Sequence, residues 1–536
     1  MTIPRGPAAA LVGTLAWLLV WGSDAGWAAG SGPDQASLDA AAHDEADWLL
    51  PAHDYAGQHY VALTQINRSN AAQLRPLCAF QVGSNGSFYT NPLVYHSTLF
   101  LTSNYETLAI DARTCRLRWR TDHFPHDKPS IQANRGLAIQ GGRLFRATWD
   151  GRLICLDADT GAVIWERHET AYPSIRETFD MAPLVDGDLV IIGVAGSEDG
   201  IRGWIGAFRV TDGSPVWRFD IIPKPGEPAA SSWGNPQALD YGGGGIWTPV
   251  VLDPLRQELF VGTADPAPTF DGRQRPGDDL YTDSLVVLDA RSGKLLWYRQ
   301  LFPHDLYDRG VTAGPLYEVH IGGQLHRLVA TSGKDGLLRV FDRDSHQELF
   351  SVPVSRQLNE HVAPTEDGVR VCPGLTGGVL WNGPAYSART DLLYVPSVDW
   401  CTTYYLGGNP GKWLGRYFGG IARWDPVSES RGALTAVDAV TGAVKWRYVS
   451  DAPMVAAVTA TAGGLLLTGE TSGDFLVLNA VNGQVLYRFY TGGAVAGGVI
   501  TYAIDGRQYV AVMSGGMTWF WQRPGGSATV FVFGLR

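Results

Sequence analysis

The sequence predicts an all-β protein built as a β-propeller, a ring of small antiparallel sheets. One observation is a hairpin pattern: the stretch from Leu153 to Trp165, LICLDADTGAVIW, combines an apolar strand, a Thr-Gly turn and a second strand ending in an aromatic residue. A second is the recurrence of that hairpin along the chain. A third is composition: only 18% of the 536 residues are charged, whereas 65 are Gly and 19 are Trp, a profile typical of many short strands joined by turns.

Seven segments share the hairpin pattern, and each ends in a large aromatic residue. The closing residues are Trp119, Trp165, Trp217, Trp297, Phe350, Trp446 and Tyr487. The interval is 41 residues between the last two and 96 between Phe350 and Trp446. A solenoid of identical coils does not tolerate such variation, whereas a ring of blades with insertions does. We therefore expect blades that each bury their aromatic residue against the next blade, and seven copies argue against coincidence.

The first 29 residues have the pattern of an export signal. Arg5 supplies the positive charge, residues 8–21 are apolar, and Ala28 and Ala29 are small residues suited to cleavage. The alternative is a membrane anchor, but the apolar run is shorter than the about 20 residues that a spanning helix needs. We expect cleavage near Ala28/Ala29, a periplasmic protein without a stable membrane span, and a single propeller domain over residues 30–536.

Export permits disulfides, and the five cysteines suggest two. Cys78 precedes the first hairpin and Cys115 lies in its turn, so a bridge would tie the entering segment to the blade. Cys372 and Cys401 are placed for a second bridge, and Cys155 lies in a core strand as a buried thiol. The sequence contains no CxxCH motif, so no attached c-type haem is expected.

Both ends of the mature chain are expected to complete the ring. Residues 47–76 read as a short polar segment of helix and turns, and strands at 508–513 and 529–533 remain after the last hairpin. Combining these strands with one from near the N-terminus would make an eighth blade and remove exposed strand edges. The pattern alone leaves seven and eight blades open.

Three long intervals, 218–285, 298–335 and 351–433, contain much of the unusual chemistry of the chain. In propellers, long connections lie over one face of the ring and form the binding site there. The net charge is −11 and there is no run of Lys or Arg, so nucleic acid is not an expected partner.

Several further motifs occur in a fixed order along the chain. They are DYAGQHYVALTQINRSNAAQL, NRGLA, GSEDGIRGWIGAF, WGNPQALDYGGGGIWTP, GTADPAPTF, RPGDDLYTDSLVVLD and FPHDLYD. In these motifs the chain resembles the quinoprotein dehydrogenases, which carry pyrroloquinoline quinone (PQQ) on an eight-bladed propeller. The resemblance covers nearly the whole mature chain. It implies eight blades, PQQ with a metal ion, and oxidation of an alcohol, polyol or sugar. Without haem, electrons would pass to a separate acceptor, a cytochrome c or a membrane quinone.

The resemblance also implies roles for five residues. Glu198 matches a metal-ligating glutamate, and Asp308 matches the aspartate proposed as catalytic base, which also touches the metal. Trp247 matches the indole that stacks on the quinone ring, and Arg135 matches an arginine that binds PQQ oxygens. Lys334 matches the basic residue that polarises the reactive carbonyl. This chemistry is coherent, because oxidising an alcohol needs a base at its hydroxyl and an electrophilic carbonyl beside a cation.

At the metal site the sequence departs from the family pattern. Asp265 stands where the metal ligand is usually Asn, which keeps an oxygen ligand and adds a negative charge. Lanthanide-using members have an Asp two residues after the catalytic one, and that residue is Gly310 here. We expect Ca²⁺, with a lanthanide ion as the alternative.

Other departures lie around the cofactor. Pro129-Ser130 replace a pair of adjacent cysteines, Asp180 stands where a Thr usually bonds a PQQ carboxylate, Ala195 replaces a Ser, and Leu380 replaces an Asn. An ionised Asp180 would still line the cofactor site but would repel that carboxylate unless a cation or a proton intervenes.

Three of these departures, Asp180, Ala195 and Leu380, favour a rival function, a cofactor-less propeller that acts as a periplasmic binding or assembly scaffold. Taken singly, each candidate also has an ordinary interpretation: a solvated carboxylate, a surface cation or a core Trp. A scaffold has little reason to retain Glu198, Trp247, Asp308 and Lys334 together. The enzyme is therefore the favoured interpretation.

Overall fold

The structure is a computed structural model, and it describes residues 1–2, 32–83, 86–124, 133–169, 177–407 and 418–536. The predicted export signal, apart from residues 1–2, and the Pro129-Ser130 position lie outside these residues. Within them, one five-residue α-helix, Gln35–Asp39, accompanies strands and short 3₁₀ turns, so the fold is all-β. The 3₁₀ turns are Ala41–His43, Ala71–Gln73, Ser197–Asp199, Pro228–Trp233, Pro236–Asp240, Gly272–Gln274, Val427–Glu429 and Trp519–Trp521.

The strands of the described chain form nine sheets, and eight of them have four or five strands. We number these eight by the order of their hairpins. Sheet 1 is Leu93–Tyr95, Thr98–Thr102, Glu106–Asp111 and Leu117–Asp122; sheet 2 is Ala138–Gln140, Arg143–Ala147, Arg152–Asp157 and Val163–His168; sheet 3 is Leu184–Asp186, Leu189–Gly193, Trp204–Arg209 and Pro215–Asp220; sheet 4 is Val251–Asp253, Glu258–Gly262, Ser284–Asp289 and Leu295–Gln300.

The remaining sheets follow in the same way. Sheet 5 is Val311–Ile321, Gln324–Gly333, Leu337–Asp342 and Glu348–Pro353; sheet 6 is Ala385–Ser387, Leu392–Asp399, Arg431–Asp438 and Val444–Ser450; sheet 7 is Thr459–Thr461, Leu465–Gly469, Asp474–Asn479 and Val485–Tyr490, with Tyr60–Val61 at its edge; sheet 8 is Val495–Ile504, Arg507–Ser514, Thr529–Gly534 and Arg75–Gln81; the small ninth sheet is Val369–Val371, Thr402–Leu406 and Gly420–Trp424. Successive antiparallel sheets of this kind make a β-propeller.

The seven predicted hairpins are the last two strands of sheets 1 to 7. Their turns are stabilised by an acidic or amide side chain: Asp438, for example, accepts hydrogen bonds from the backbone N–H and the hydroxyl of Thr441 at 2.8 and 2.9 Å. Gly442 then adopts a φ of 72°, which a residue with a side chain rarely does. In each of these hairpins the strand register shifts near the turn, as between Ala436 and Val437.

The aromatic residues that close the hairpins contact the following sheet. The indole N–H of Trp119 donates to the carbonyl of Ala158 at 3.0 Å, and Trp446 donates to Ala480 at 3.2 Å. A Cβ on Gly161 would lie 2.4 Å from the Trp119 ring, so the turn glycine of one hairpin makes room for the indole of the preceding one. The turn glycine of one hairpin and the closing aromatic residue of the preceding hairpin thus pack against each other.

Strands from both ends of the chain meet in sheets 7 and 8. Arg75–Gln81 pairs antiparallel with Thr529–Gly534, with Phe80 opposite Val530, and Tyr60–Val61 pairs parallel with Thr459–Thr461. The two predicted disulfides, Cys78–Cys115 and Cys372–Cys401, are confirmed, and Cys155 is a buried free thiol.

Two sequence-based expectations need correction. Residues 47–76 contain a 3₁₀ turn, Ala71–Gln73, but no α-helix, and they are not uniformly polar, because Trp48, Leu49 and Leu50 are buried. Each of the three long intervals contains the first two strands of the next sheet, which the hairpin pattern did not reveal. The segments left between strands in those intervals are shorter, and they line the cavity described below. None of the helices in the described part of the chain has the length and apolar character needed to cross a membrane.

Candidate functional site

The predicted site residues lie around one cavity of about 320 Å³. They are Arg135, Asp180, Glu198, Trp247, Asp265, Asp308 and Lys334. Each belongs to a segment that precedes the first strand of a sheet or follows its second strand. In an antiparallel sheet these two connections lie at the same end, because the second strand returns to where the first began. The topology alone therefore gathers residues that are up to 199 positions apart in the chain, from Arg135 to Lys334.

Asp308 and Lys334 form a buried ion pair at the base of the cavity. The ammonium Nζ lies 2.6 Å from Asp308 Oδ1. Burial raises the pKa of Asp308 to about 7, while the Lys334 charge opposes that rise. Burial disfavours the charged form of Lys334, but the neighbouring carboxylates prevail and its pKa is raised. The pair keeps a carboxylate and a cation in contact within a largely apolar wall.

Backbone contacts fix the segment that contains Asp308. Asp308 has a left-handed backbone, with φ at 63°, and the N–H of Gly310 donates to the carboxylate of Asp283 at 2.9 Å. The N–H of Lys334 donates to the carbonyl of Arg309 at 3.2 Å. These contacts attach the Asp308 segment to sheets 4 and 5 and so set the direction of its carboxylate.

Two further carboxylates lie beside this pair. Asp265 is 1% exposed and accepts a hydrogen bond of 3.0 Å from the Thr269 hydroxyl. Burial, together with repulsion from Asp308 and Glu198, holds the pKa of Asp265 well above its usual range. Glu198 lies in the Ser197–Asp199 turn and is half-buried. Across the described ranges, no three His, Cys, Asp or Glu side chains converge closely enough to form a ready metal site. The three carboxylates thus share the cavity without meeting at one point.

Arg135 lies between two indole rings. Its guanidinium carbon is 5.3 Å from the Trp247 centroid and 5.2 Å from that of Trp381, both within the range of cation–π attraction. Asp180 is 3.6 Å from Arg135 Nη1. Nε and Nη1 of Arg135 are buried without a hydrogen-bond partner in the described structure, and burial lowers the pKa of this arginine. Unsatisfied donors on a buried cation mark the place of an anionic or carbonyl-bearing ligand.

Trp247 has a second cation near its ring. Lys334 Nζ lies 5.6 Å from the centroid, so both Arg135 and Lys334 are within cation–π distance of this indole. A Cβ on Gly310 would lie 3.3 Å from the indole nitrogen, and Gly310 has a φ of 57°. A side chain at position 310 would therefore be strained and would press on Trp247.

Sequence reasoning missed the apolar wall on the solvent side of the cavity. We call it the aromatic mouth and define it by Leu375, Phe418, Trp424, Trp519 and Phe520. Trp424 and Trp519 contact edge to face at 6.3 Å, and Trp519 is 57% exposed. The TWFW run at 518–521 was an available signal. It belongs to no repeated pattern, however, so the sequence did not indicate where in the fold these aromatic residues lie. Ala195 and Leu380 also line the cavity, as apolar wall.

Comparison with known families gives two matches. Residues 48–367 match the PQQ model, described as "Glucose/ethanol/alcohol dehydrogenase, beta-propeller domain". Residues 419–525 match a second model, described as "Outer membrane protein assembly factor BamB". The first match covers more than half of the chain and includes every predicted site residue, whereas the second covers a shorter C-terminal stretch.

Individual proteins agree with the first match. The quinoprotein alcohol dehydrogenase PedH of Pseudomonas putida is 30% identical over 508 residues, which cover 86% of this chain and 84% of that protein. The lanthanide-dependent methanol dehydrogenase of Methylacidiphilum fumariolicum is 29% identical over 525 residues, covering 88% and 85% of the two chains. Among solved structures, the quinohemoprotein alcohol dehydrogenase of Comamonas testosteroni superposes with a TM-score of 0.86 at 26% identity, over 94% of this chain and 82% of that one.

Proposed function

The chain belongs to the glucose/ethanol/alcohol dehydrogenase family of quinoprotein β-propellers, and from that premise we propose that it is a PQQ-dependent dehydrogenase that oxidises an alcohol. The observation that carries the proposal is the convergence of Arg135, Trp247, Asp308 and Lys334 on one cavity. These residues provide donors for an anionic ligand, a flat ring surface, and a base in contact with a cation. Together they are the parts that alcohol oxidation requires.

The cavity fits PQQ by the chemistry of its walls. When bound, PQQ supplies an electrophilic quinone that accepts two electrons and a hydrogen from the carbinol carbon. Arg135 offers two unsatisfied donors for carboxylate or quinone oxygens, and its position between Trp247 and Trp381 fixes the plane of the guanidinium. Trp247 provides the flat apolar surface on which a planar ring stacks. Asp180 pairs with Arg135 and so moderates its charge.

Asp308 is the proton acceptor in this proposal. Its carboxylate is buried, faces the cavity and is held by the surrounding backbone, so it can accept the hydroxyl proton of an alcohol at Oδ2 while Oδ1 stays with Lys334. Lys334 stabilises the ionised form of Asp308 and places a positive charge where negative charge develops during oxidation. The two residues therefore act as a unit.

A metal ion would be held by Glu198, Asp265 and Asp308, which line the same cavity but do not converge on one point in the described structure. Three carboxylates around one cavity, with a raised pKa at two of them, are an arrangement that a cation stabilises. Asp265 adds a negative charge to the site, whereas the Asn that usually stands at this position would add none. We propose Ca²⁺ as the ion, with a lanthanide as the alternative; the strained backbone and close indole at Gly310 are unfavourable for an additional aspartate there.

We also propose that the sheets 1 to 8 form one eight-bladed ring over residues 30–536, with each closing aromatic docked on the next blade. The indole hydrogen bonds between neighbouring sheets and the pairing of both chain ends in sheet 8 support this arrangement. The signal pattern of residues 1–29 supports export to the periplasm. Electrons would pass to a separate cytochrome c or membrane quinone, since the sequence has no haem-attachment motif.

The test is reconstitution of the purified protein with PQQ and either Ca²⁺ or La³⁺, followed by dye reduction with a panel of alcohols and sugars. We expect reduction that needs both PQQ and a metal ion and that falls at least about 10²-fold in Asp308→Ala. Protein that retains PQQ but reduces no dye with any substrate would refute the enzyme. Failure to retain PQQ with either metal would favour the scaffold function that the match at 419–525 and the residues Asp180, Ala195 and Leu380 suggest.

A further inference from the structure

Asp265 and Asp308, two of the carboxylates assigned to the metal ion, lie on neighbouring connections. We call residues 263–283 the Asp265 loop and residues 301–310 the Asp308 loop; the first joins the second and third strands of sheet 4, and the second joins sheet 4 to sheet 5. Burial and then repulsion from Asp308 raise the pKa of Asp265, so the two charges oppose a close approach of their loops. Attractive contacts elsewhere must hold the two loops together.

Arg275 makes the first of these contacts. Its side chain is fully buried, and Nη2 donates to the carbonyl oxygens of Thr269 at 3.0 Å and of Asp305 at 2.5 Å. Thr269 in turn donates its hydroxyl to Asp265 Oδ2 at 3.0 Å. One guanidinium therefore contacts both the segment that supports the Asp265 carboxylate and the segment that leads to Asp308.

An ion pair sets the orientation of this guanidinium. Arg275 Nη1 donates to Asp279 Oδ2 at 2.7 Å, and both side chains are 0% exposed. With its charge paired, the planar group can direct its other N–H groups to the carbonyl oxygens of Pro268, Thr269 and Asp305 at once. A lysine ammonium lacks this planar arrangement of donors, so a lysine here would keep the charge and lose most of the bridge.

Asp283 makes a second bridge at the other end of the Asp308 loop. Its backbone N–H donates to the carbonyl of Ala264, the residue before Asp265, at 3.2 Å. Its carboxylate Oδ1 accepts the N–H of Gly310, two positions after Asp308, at 2.9 Å. Asp283 is 0% exposed, so water does not compete for either bond. The two loops are thus joined at two separate places by buried hydrogen bonds.

We infer that Arg275 and Asp283 are positioning residues that limit the separation of Asp265 and Asp308 and thereby raise the affinity of the site for its cation. This inference rests on the proposed function, which assigns a metal ion to these carboxylates. Carboxylates that are already held near each other bind an ion more tightly, because less free energy is spent in bringing them together against their mutual repulsion.

The test is calorimetric titration of chelator-treated protein with Ca²⁺ and with La³⁺, in the presence and absence of PQQ. We expect Arg275→Lys to weaken the affinity for both ions at least about tenfold. Arg146→Lys is the matched control, because Arg146 is equally buried and donates to the carbonyls of Ser103 and Asn104 at 2.7 and 3.0 Å, but does not line the cavity. It should leave the affinity unchanged. Equal weakening in the two variants, or none in Arg275→Lys, would overturn the role of Arg275.

Asp283 is tested by two substitutions that separate its hydrogen bond from its charge. Asp283→Asn removes the charge and keeps a side-chain oxygen for the N–H of Gly310, whereas Asp283→Ala removes both. We expect Asp283→Ala to weaken cation binding at least about tenfold and Asp283→Asn to retain most of the affinity. The same pair decides the inference if Arg275→Lys does not fold. An equal loss in both substitutions would show that the charge acts directly, and would overturn the positioning role of Asp283.

Dye reduction by the reconstituted enzyme separates this inference from the proposed function. Wild-type protein that reduces dye, together with Arg275→Lys and Asp283→Ala variants that bind the cations normally, would refute the positioning role and leave the dehydrogenase intact. Wild-type protein that binds neither cation, with or without PQQ, would refute the metal assignment and this inference with it.

Discussion

Asp180 is the residue whose charge bears most directly on cofactor binding. It lies 3.6 Å from the guanidinium of Arg135, which it partly neutralises, and Arg135 still has two unsatisfied donors. An anionic ligand must therefore compete with Asp180 for the arginine. The pair also explains how the protein keeps a buried arginine when no ligand is bound, since an unpaired buried charge is strongly destabilising.

Replacing Asp180 by Thr should change the free protein and the complex in opposite directions. Without PQQ, Arg135 loses its counter-charge, so the temperature of thermal unfolding should fall. With PQQ, the arginine is fully available, so the affinity should rise about tenfold. Calorimetric unfolding and a PQQ titration measure the two effects. Asp180→Asn, which removes the charge and keeps the size, should behave similarly; a loss of PQQ affinity in both variants would show that Asp180 itself holds the cofactor.

The site residues were assigned through the family resemblance of the motifs that contain them, and the structure brings all seven into one cavity. The contact of Lys334 with Asp308 and the position of Arg135 between two indoles were not readable, because they depend on how separate connections meet in space. The aromatic mouth was missed for the same reason. Its residues come from three segments without a shared motif.

At the scale of elements, the hairpin is the unit that the sequence specifies most strongly. Its turn aspartate, its glycine and its closing aromatic each have a local role, so the pattern predicts the last two strands of seven sheets. The first two strands have no such signal, because a short buried strand is only a run of apolar residues. This is why the long intervals were taken for insertions.

The turn aspartates should make stability depend on pH. Burial works against ionisation of Asp438, but hydrogen bonds from Lys445 and Thr441 prevail and lower its pKa from 3.8 to about 2. A carboxyl with a lowered pKa in the folded state stabilises the protein above its unfolded pKa, and that stabilisation is lost as the pH falls from about 4 towards 2. Asp438→Ala should therefore cost about 1–2 kcal/mol at pH 7 and clearly less at pH 3.

Thermal unfolding of wild type and variant at both pH values measures this difference. Asp451→Ala is the matched control, because Asp451 lies on the following connection with a fully exposed side chain and should have little effect at either pH. An effect of Asp438→Ala that is the same at pH 7 and pH 3 would mean that the charge of Asp438 does not stabilise the turn.

The two disulfides offer a comparison between an element at the site and one remote from it. Cys372–Cys401 closes a loop that contains Leu375 and Thr376 of the cavity wall, whereas Cys78–Cys115 joins sheet 8 to the first hairpin. Removing either bridge by a pair of Ser substitutions should cost about 3–4 kcal/mol by loop entropy. We expect only the loss of Cys372–Cys401 to raise the KM for the alcohol as well. Equal kinetic effects of both pairs would indicate general loosening of the fold.

At the scale of the whole molecule, the sheets follow one another along the chain while the two chain ends meet in sheet 8. Arg75–Gln81 lies against Thr529–Gly534, so the last sheet is completed by a strand about 450 residues distant in the sequence. The sequence suggested this pairing through leftover strands near the C-terminus, but the number of blades came only from the family resemblance. Strand pairing between distant segments has no local signal, which is why the pattern left seven and eight open.

The function proposed for the molecule depends on one property of the central cavity, its capacity to hold PQQ. The most direct measurement is equilibrium titration of the purified protein with PQQ, followed by quenching of indole fluorescence, in Ca²⁺, in La³⁺ and in a chelator. Saturable one-to-one binding that a metal ion strengthens and Arg135→Ala abolishes is the result we predict. If wild-type protein shows no saturable binding under any of the three conditions, the chain is not a PQQ enzyme, and its cavity serves the scaffold function instead.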